Sequence, residues 1–286
     1  MNKLIRSLIA CGVSVLLLLP LCAGSARSES ETGVLVMAHG GTSEWNKTVK
    51  KAVKAAQIPY PTRIFFGMGD TPAQQRELQD MVSELEDDGA HTIYVVPLLV
   101  SAYSEVARQW KYLLGVDVQP GFMNNPLFPI QRRSAIHFSE PLNDSSVVAE
   151  ILLDRAHAIS SSPPKETVLI IAHGPNDDTD NAKWGQILQN IARQMKDRGG
   201  YKNVEGATLR DDAPSAVRKQ AVEKLRNQIQ SADQAGTRAL VVTLLLAPGG
   251  IEHKIGVELR GLNYAFNTKA LLPDSRISEW IRSQVP

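Results

Sequence analysis

The sequence predicts an α/β fold of two similar doubly wound parallel-sheet units that face a central cleft. Three observations carry that prediction. Apolar runs of strand length alternate with helical patterns throughout residues 33–286. The order of these elements repeats once along the chain. And "VLVMAHGG" at 34–41 returns as "VLIIAHGP" at 168–175, so that both copies stop an apolar strand on Ala-His-Gly.

The first copy reads as follows. "GVLVMAH" (33–39) is a strand of the buried type, and "SEWNKTVKKAVKAAQI" (43–58) has helical spacing. "RIFFGM" (63–68) is a second strand. "TPAQQRELQDMVSELEDDG" (71–89) is a helix, with Pro72 in its first turn and Gly89 past its end. "TIYVVPLLV" (92–100) is a third strand, followed by a helix over 104–114, a strand over 134–142 and a closing helix over 145–159.

The second copy keeps that order. Strands are expected at 167–173, 203–209, 238–248 and 262–272, and helices at 181–199, 213–236, 252–261 and 274–285. Pro72 answers Pro214, and "VVPLLV" answers "VVTLLL". The units therefore span 33–160 and 166–286, joined by the Ser/Pro stretch "SSSPPKE" at 160–166. Strands alternating with helices pair in parallel, with helices on both sheet faces. Ligands of such sheets bind beyond the carboxyl ends of the strands, where both Ala-His-Gly motifs fall.

Residues 1–26 stand apart. Lys3 and Arg6 precede an apolar run from Leu8 to Leu21, and Ala23, Gly24, Ser25 and Ala26 follow. That is the pattern of a cleaved secretory signal peptide, and it predicts a periplasmic or secreted protein. Gly12, Ser14 and Pro20 interrupt the run, which disfavours a stable membrane span. Cys22 admits a lipid anchor, but Leu21 before it is bulkier than such sites favour. Both cysteines, Cys11 and Cys22, lie in this segment. Its removal excludes disulfides, thiolate metal sites and a cysteine nucleophile. Losing Lys3 and Arg6 leaves 29 basic against 30 acidic side chains, a balance that predicts no nucleic-acid partner.

Six histidines remain to be placed. His91, His137 and His157 fit structural roles before a strand, inside one and near a helix end. His39 and His173 end the first strand of each unit, and a glycine follows each, which allows close backbone approach to a ligand. His253 follows "LLLAPGGIEH", just past the third strand of unit two. Gly249 and Gly250 there expose backbone N–H groups at a helix start, a natural anion site. Glu205, in the strand "NVEG", is costly to bury unless it is paired or ligating. His173, Glu205 and His253 together would make a two-histidine, one-carboxylate set suited to Co²⁺, Fe²⁺ or Ni²⁺. No glycine-rich nucleotide fingerprint, P-loop or nucleophile elbow is present, so no nucleotide cofactor is expected.

These residues resemble the class II chelatases, the sirohydrochlorin cobaltochelatase and ferrochelatase group. The resemblance rests on His39-Gly40, "PLLV" (97–100), His173-Gly174, "LLLAPGGIEH" (244–253) and "NVEG" (203–206). It implies ATP-independent insertion of a divalent metal, as substrate, into a tetrapyrrole such as sirohydrochlorin. It makes His173 and His253 the catalytic pair, with Glu205 the third metal ligand, and it sets Gly249 and Gly250 against the macrocycle's carboxylates. The chain also departs from the family. Glu105, in "SAYSE", stands where unit one should carry a second histidine, and His253 falls about two residues late. A carrier or sensor of metal or tetrapyrrole, without turnover, is the alternative that these departures and the export signal keep open.

Overall fold

A computed structural model describes residues 31–122 and 126–286. The expected signal peptide lies outside the described residues. Unit one contains β1 (Thr32–Ala38), α1 (Ser43–Ala55), β2 (Thr62–Phe66), α2 (Pro72–Asp87), β3 (Thr92–Pro97), α3 (Glu105–Leu113), β4 (Ala135–Phe138) and α4 (Ser146–His157). Unit two repeats the order with β5 (Glu166–Ala172), α5 (Asp178–Gly199), β6 (Asn203–Thr208), α6 (Ser215–Gln234), β7 (Arg238–Leu244), α7 (Ile251–Glu258), β8 (Tyr264–Asn267) and α8 (Ser275–Ser283).

The sheets are parallel throughout, in the orders β2-β1-β3-β4 and β6-β5-β7-β8. Both are the doubly wound α/β sheets that the sequence predicts. β1 and β5 occupy interior positions with helices on both faces, and every residue of β5 is buried. That is why these two runs read as continuously apolar. β4 and β8, at sheet edges, are shorter than their apolar patterns suggest. Residues 139–142 and 268–272 leave the regular ladder, although Ser139, Leu142, Leu271 and Leu272 still donate backbone hydrogen bonds to Val95, Leu99, Leu245 and Leu246.

Helix ends follow their local chemistry. Thr42, Thr71 and Ser104 accept from the backbone N–H three residues on and so cap α1, α2 and α3. Asp177 caps α5 in the same way and starts it earlier than residue 181. Pro72 sits in the first turn of α2, where its missing N–H costs nothing.

The core has three parts. The outer face of each sheet packs against its own helices, α2 and α3 in unit one and α6 and α7 in unit two. Between the sheets lies one shared core, which takes Val34, Val36 and Val49 from unit one and Val168, Ile170 and Ile187 from unit two. The closing helices cross over to build it. α4 packs on α5 and β7 of unit two, and α8 packs on α1 of unit one. The two copies legible in the sequence therefore share an interior.

The segment 160–166 is pinned rather than loose. Glu166 is buried, and its carboxylate accepts from Ser160, from the Ser161 N–H at 2.9 Å and from Arg238 at 3.2 Å. Burial pushes its pKa up, but the hydrogen bonds from Ser160, Ser161 and Ser162 outweigh that and hold it below the usual carboxylate range. Among the described residues, no helix is long and apolar enough to cross a membrane.

Candidate metal and ligand site

In a sheet of order 2-1-3-4 the chain leaves neighbouring strands toward opposite edges at β1 and β3, which opens a crevice at their carboxyl ends. The same holds for β5 and β7. The two crevices meet in one cleft of about 530 Å³, within the roughly 300–1,000 Å³ usual for small-molecule sites. Unit one contributes His39 after β1 and Leu98–Ser101, Ser104 and Glu105 after β3. Unit two contributes His173–Asp177 after β5 and Leu245–Ala247, Gly249 and Ile251 after β7. Two tryptophans complete the wall, Trp45 of α1 and Trp184 of α5, each 5 % exposed.

Both strand-end histidines thus reach the cleft. The glycine after each has positive φ, +81° at Gly40 and +79° at Gly174, which explains the repeated His-Gly. The two positions differ in room. A Cβ on Gly174 would lie 2.5 Å from the Thr208 side chain, whereas on Gly40 the nearest atom would be 3.5 Å away. Gly40→Ala should therefore cost about 1–2 kcal/mol, the left-handed backbone penalty alone. Gly174→Ala should cost more and displace His173. Denaturant unfolding midpoints of the two variants check this order.

His173 is oriented by its own turn. Its Nδ1 lies 2.9 Å from the Gly174 carbonyl oxygen, which can only accept, so Nδ1–H is the donor. In the neutral ring Nε2 then carries the lone pair. That atom faces another acceptor, Asp212 Oδ2, at 3.4 Å. Two acceptors that face each other are satisfied by a proton on Nε2 or by a metal cation between them.

The neighbouring loop is built to hold this geometry. Arg210 adopts φ +53°, uncommon for a residue with a side chain. Its N–H donates to the His173 carbonyl at 2.7 Å, and its guanidinium donates to the carbonyls of Pro175 and Asn176 and to Asp178. Asp211 turns inward and is neutralised by Lys254 at 2.5 Å and Arg218 at 3.2 Å. Burial works to raise its pKa, but these two cations win and lower it. Asp212 is left free to face His173. Among the described residues, His173, Asp211 and Asp212 are the only three histidine or carboxylate side chains whose ligand atoms converge, within 4.8 Å of one another. Asp211 is already committed to two cations, so His173 and Asp212 are the pair available to a metal.

The sequence-predicted set of His173, Glu205 and His253 is not brought together. Glu205 pairs in register with Leu169, four residues before His173, or about 13 Å back along the strand at roughly 3.3 Å per residue. Its carboxylate accepts instead from Gln228 of α6 at 2.6 Å. His253 is exposed and lines a shallow groove with Gly256, Arg260 and Phe266, outside the cleft. Ile251 is the α7 residue that reaches the cleft, and two residues further on is about 200° round the helix. His253 is therefore no partner of His173 in one metal site. The anion slot at Gly249 and Gly250 is filled from within, because both N–H groups donate to Glu252 Oε2, at 3.4 and 3.0 Å. Asp212 and the two tryptophans were missed by sequence reasoning. The available signal was the pair Asp211-Asp212 directly after the strand "NVEGAT" (203–208), at its carboxyl end.

His39 packs its ring 4.7 Å from that of Trp45. It is exposed to solvent through the open cleft, although protein atoms crowd around it. Partial desolvation by this crowding is the main cause lowering its pKa; a hydrogen bond at Gly40 opposes the shift, and His173 across the cleft adds to it. His39 is thus held in its neutral form. On acidification the unfolded chain takes up this proton first, near pH about 6.5. Stability should therefore fall as pH drops through about 6.5, and the loss should level off below the lower folded-state value. His39→Asn should flatten this part of the melting temperature–pH curve. Glu105 sits in the first turn of α3, at its positive end, and also lines the cleft, but among the described residues it and His39 belong to no converging group of three ligands. His137 and His157 rest against Tyr94 and Tyr201, in keeping with structural roles.

The CbiX family model, a class II chelatase family, matches residues 33–159. No curated protein matches the chain significantly. Among solved structures, SirB from Bacillus subtilis with Fe³⁺ is similar at TM-score 0.64 and 17 % identity, over 88 % of this chain and 93 % of SirB. DR2241 from Deinococcus radiodurans, described as multi-domain and structurally similar to chelatases, aligns at TM-score 0.54 and 13 % identity over 88 % of this chain and 54 % of its own. Residues 33–159 are thus similar to the CbiX family, and the chain as a whole, which repeats that unit, shares the two-unit fold of SirB.

Proposed function

We propose that this protein inserts a divalent metal, Co²⁺ or Fe²⁺, into a tetrapyrrole such as sirohydrochlorin held in the cleft. The reaction uses no nucleotide and takes place in the periplasm or outside the cell, in keeping with the basic and apolar residues of 1–26. The observation that carries this reading is the His173 Nε2–Asp212 pair at the junction of the two units. The CbiX family match supports it, as does the name of the structural relative SirB, which holds Fe³⁺.

Insertion of M²⁺ expels two pyrrole N–H protons, so the site must deliver a cation and accept protons. His173 Nε2 and the exposed Asp212 carboxylate offer the entering metal two ligands and leave its other positions open. That weak hold suits transfer. His39, kept neutral by its surroundings, is placed across the cleft to accept a proton. The apolar wall, with Trp45, Trp184, Leu98 and Leu246, suits the body of a conjugated ring.

The test is to mix the protein lacking residues 1–26 with metal-free sirohydrochlorin and Co²⁺ or Fe²⁺ and follow the absorption change. Acceleration over the protein-free rate is expected. Tight binding of metal or tetrapyrrole with no acceleration would replace the enzyme by a carrier. Glu105, in place of the family's second histidine in unit one, is the feature that favours that alternative.

A further inference from the structure

The units differ most between their third helix and fourth strand. In unit two, residues 259–263 join α7 to β8 directly, whereas in unit one residues 114–134 join α3 to β4. Of this longer connection, residues 114–122 and 126–134 are described, and the first stretch ends at the cleft. The second stretch is tied down: Tyr112 donates to the Leu127 carbonyl at 3.0 Å, the Ile130 N–H to the Leu113 carbonyl at 2.8 Å, and Gln79 to the Gln131 carbonyl at 2.8 Å. At the end of the first stretch Phe122 lines the cleft.

Phe122 is held there by one buried side chain. Gln109 of α3 is fully buried, and its Oε1 accepts from the N–H groups of both Gly121 and Phe122, each at 3.1 Å. Gly121 lies so close to α3 that a Cβ would fall 1.9 Å from the Glu105 carbonyl oxygen, so no side chain fits. The other end of the same amide, Nε2, donates to the Gly69 carbonyl at 3.0 Å. The adjacent Trp110 donates its Nε1–H to the Gly67 carbonyl at 3.0 Å. Between those clamped carbonyls stands Met68, which also lines the cleft and is 39 % exposed. A buried glutamine that spends its donor on one rim loop and its acceptor on another fixes the two loops relative to each other.

We propose that Met68 and Phe122 form an apolar lip that packs on one face of a planar conjugated macrocycle in the cleft, with Gln109 as the positioning residue that sets both. This deepens the tetrapyrrole reading and rests on it. An adaptable thioether beside a rigid ring suits a broad flat ligand, and unit two has no counterpart. The lip therefore gives the near-symmetrical cleft one preferred side.

The experiment is a titration with metal-free sirohydrochlorin, read by tryptophan quenching and absorbance, alongside Co²⁺ binding by calorimetry. Phe122→Ala should weaken tetrapyrrole binding about tenfold and leave Co²⁺ affinity unchanged, while Phe122→Trp should restore binding. Gln109→Leu should weaken tetrapyrrole binding at least as much, and adding Phe122→Ala to it should cost little more, because the two act as a unit. Should Gln109→Leu fail to fold, the partly exposed Phe122 variants still decide. Wild-type binding with Phe122→Ala unaffected would overturn the lip alone. A wild-type protein that binds no tetrapyrrole would overturn the functional reading, and the lip with it.

Discussion

Replacing His173 by alanine should lower the rate of metal insertion by about 10²–10⁴-fold, the usual weight of a positioned acid–base or ligating side chain. His253→Ala should leave the rate within about twofold, because His253 is exposed on a groove outside the cleft. The contrast follows from geometry: only His173 combines a fixed tautomer, set by the Gly174 carbonyl, with an Nε2 that faces a carboxylate. Asp212→Asn should cost less, since Asp212 is 70 % exposed and a pair this open is worth little in itself. Metal binding by calorimetry and insertion by absorbance would separate the steps. If His253→Ala proves as damaging as His173→Ala, the placement of the metal beside Asp212 is wrong.

Trp184→Ala should produce a large loss of stability, about 3–5 kcal/mol by analogy with other buried tryptophans. The side chain lies in the core shared by the two sheets, 5 % exposed, and its Nε1–H donates to the Tyr103 carbonyl of unit one at 2.6 Å. Around it, Arg108 of α3 pairs with the buried Asp180 of α5 at 2.7 Å, and Lys183 stands 4.9 Å over the Tyr103 ring. Truncation would open a cavity, orphan a carbonyl and loosen the junction that shapes the cleft. The melting temperature should drop by roughly 6–20 °C at 2–4 °C per kcal/mol for a chain of this size. Trp184→Phe should recover most of the packing but not the hydrogen bond, and so fall between. A loss below about 1 kcal/mol for the alanine variant would mean that the units hold together without this contact.

Much of the fold was legible because it is written in local pattern. Strands buried on both faces read as unbroken apolar runs, as "ETVLIIA" (166–172) does. The helices capped by Thr42, Thr71 and Ser104 start close to where the pattern put them, whereas the cap of α5, Asp177, lies four residues before the expected start. The repeat of "AHG" at two strand ends is enough to place His39 and His173 on the ligand side of their sheets. β3, β4, β7 and β8 are all shorter than their apolar runs, because buried apolar residues continue into the loops beyond the strand ends.

The site was legible only in part. Strand order follows from no local pattern, so the sequence did not show that Glu205 lies four residues behind His173 in register and is engaged by Gln228. A helix turns side chains by about 100° per residue, and this carried His253 out of the cleft while Ile251 faces in. Glu252 closes on Gly249 and Gly250 through a turn whose shape depends on a positive φ at Gly250. By itself the sequence determined the two α/β copies, the class of fold and the two strand-end histidines, because period and punctuation are local. Only the tertiary structure decided that α4 and α8 cross between units, that Asp212 is the carboxylate beside His173, and that Trp45 and Trp184 wall one cleft. Those contacts join residues far apart in the chain, and register, helix rotation and packing select them together.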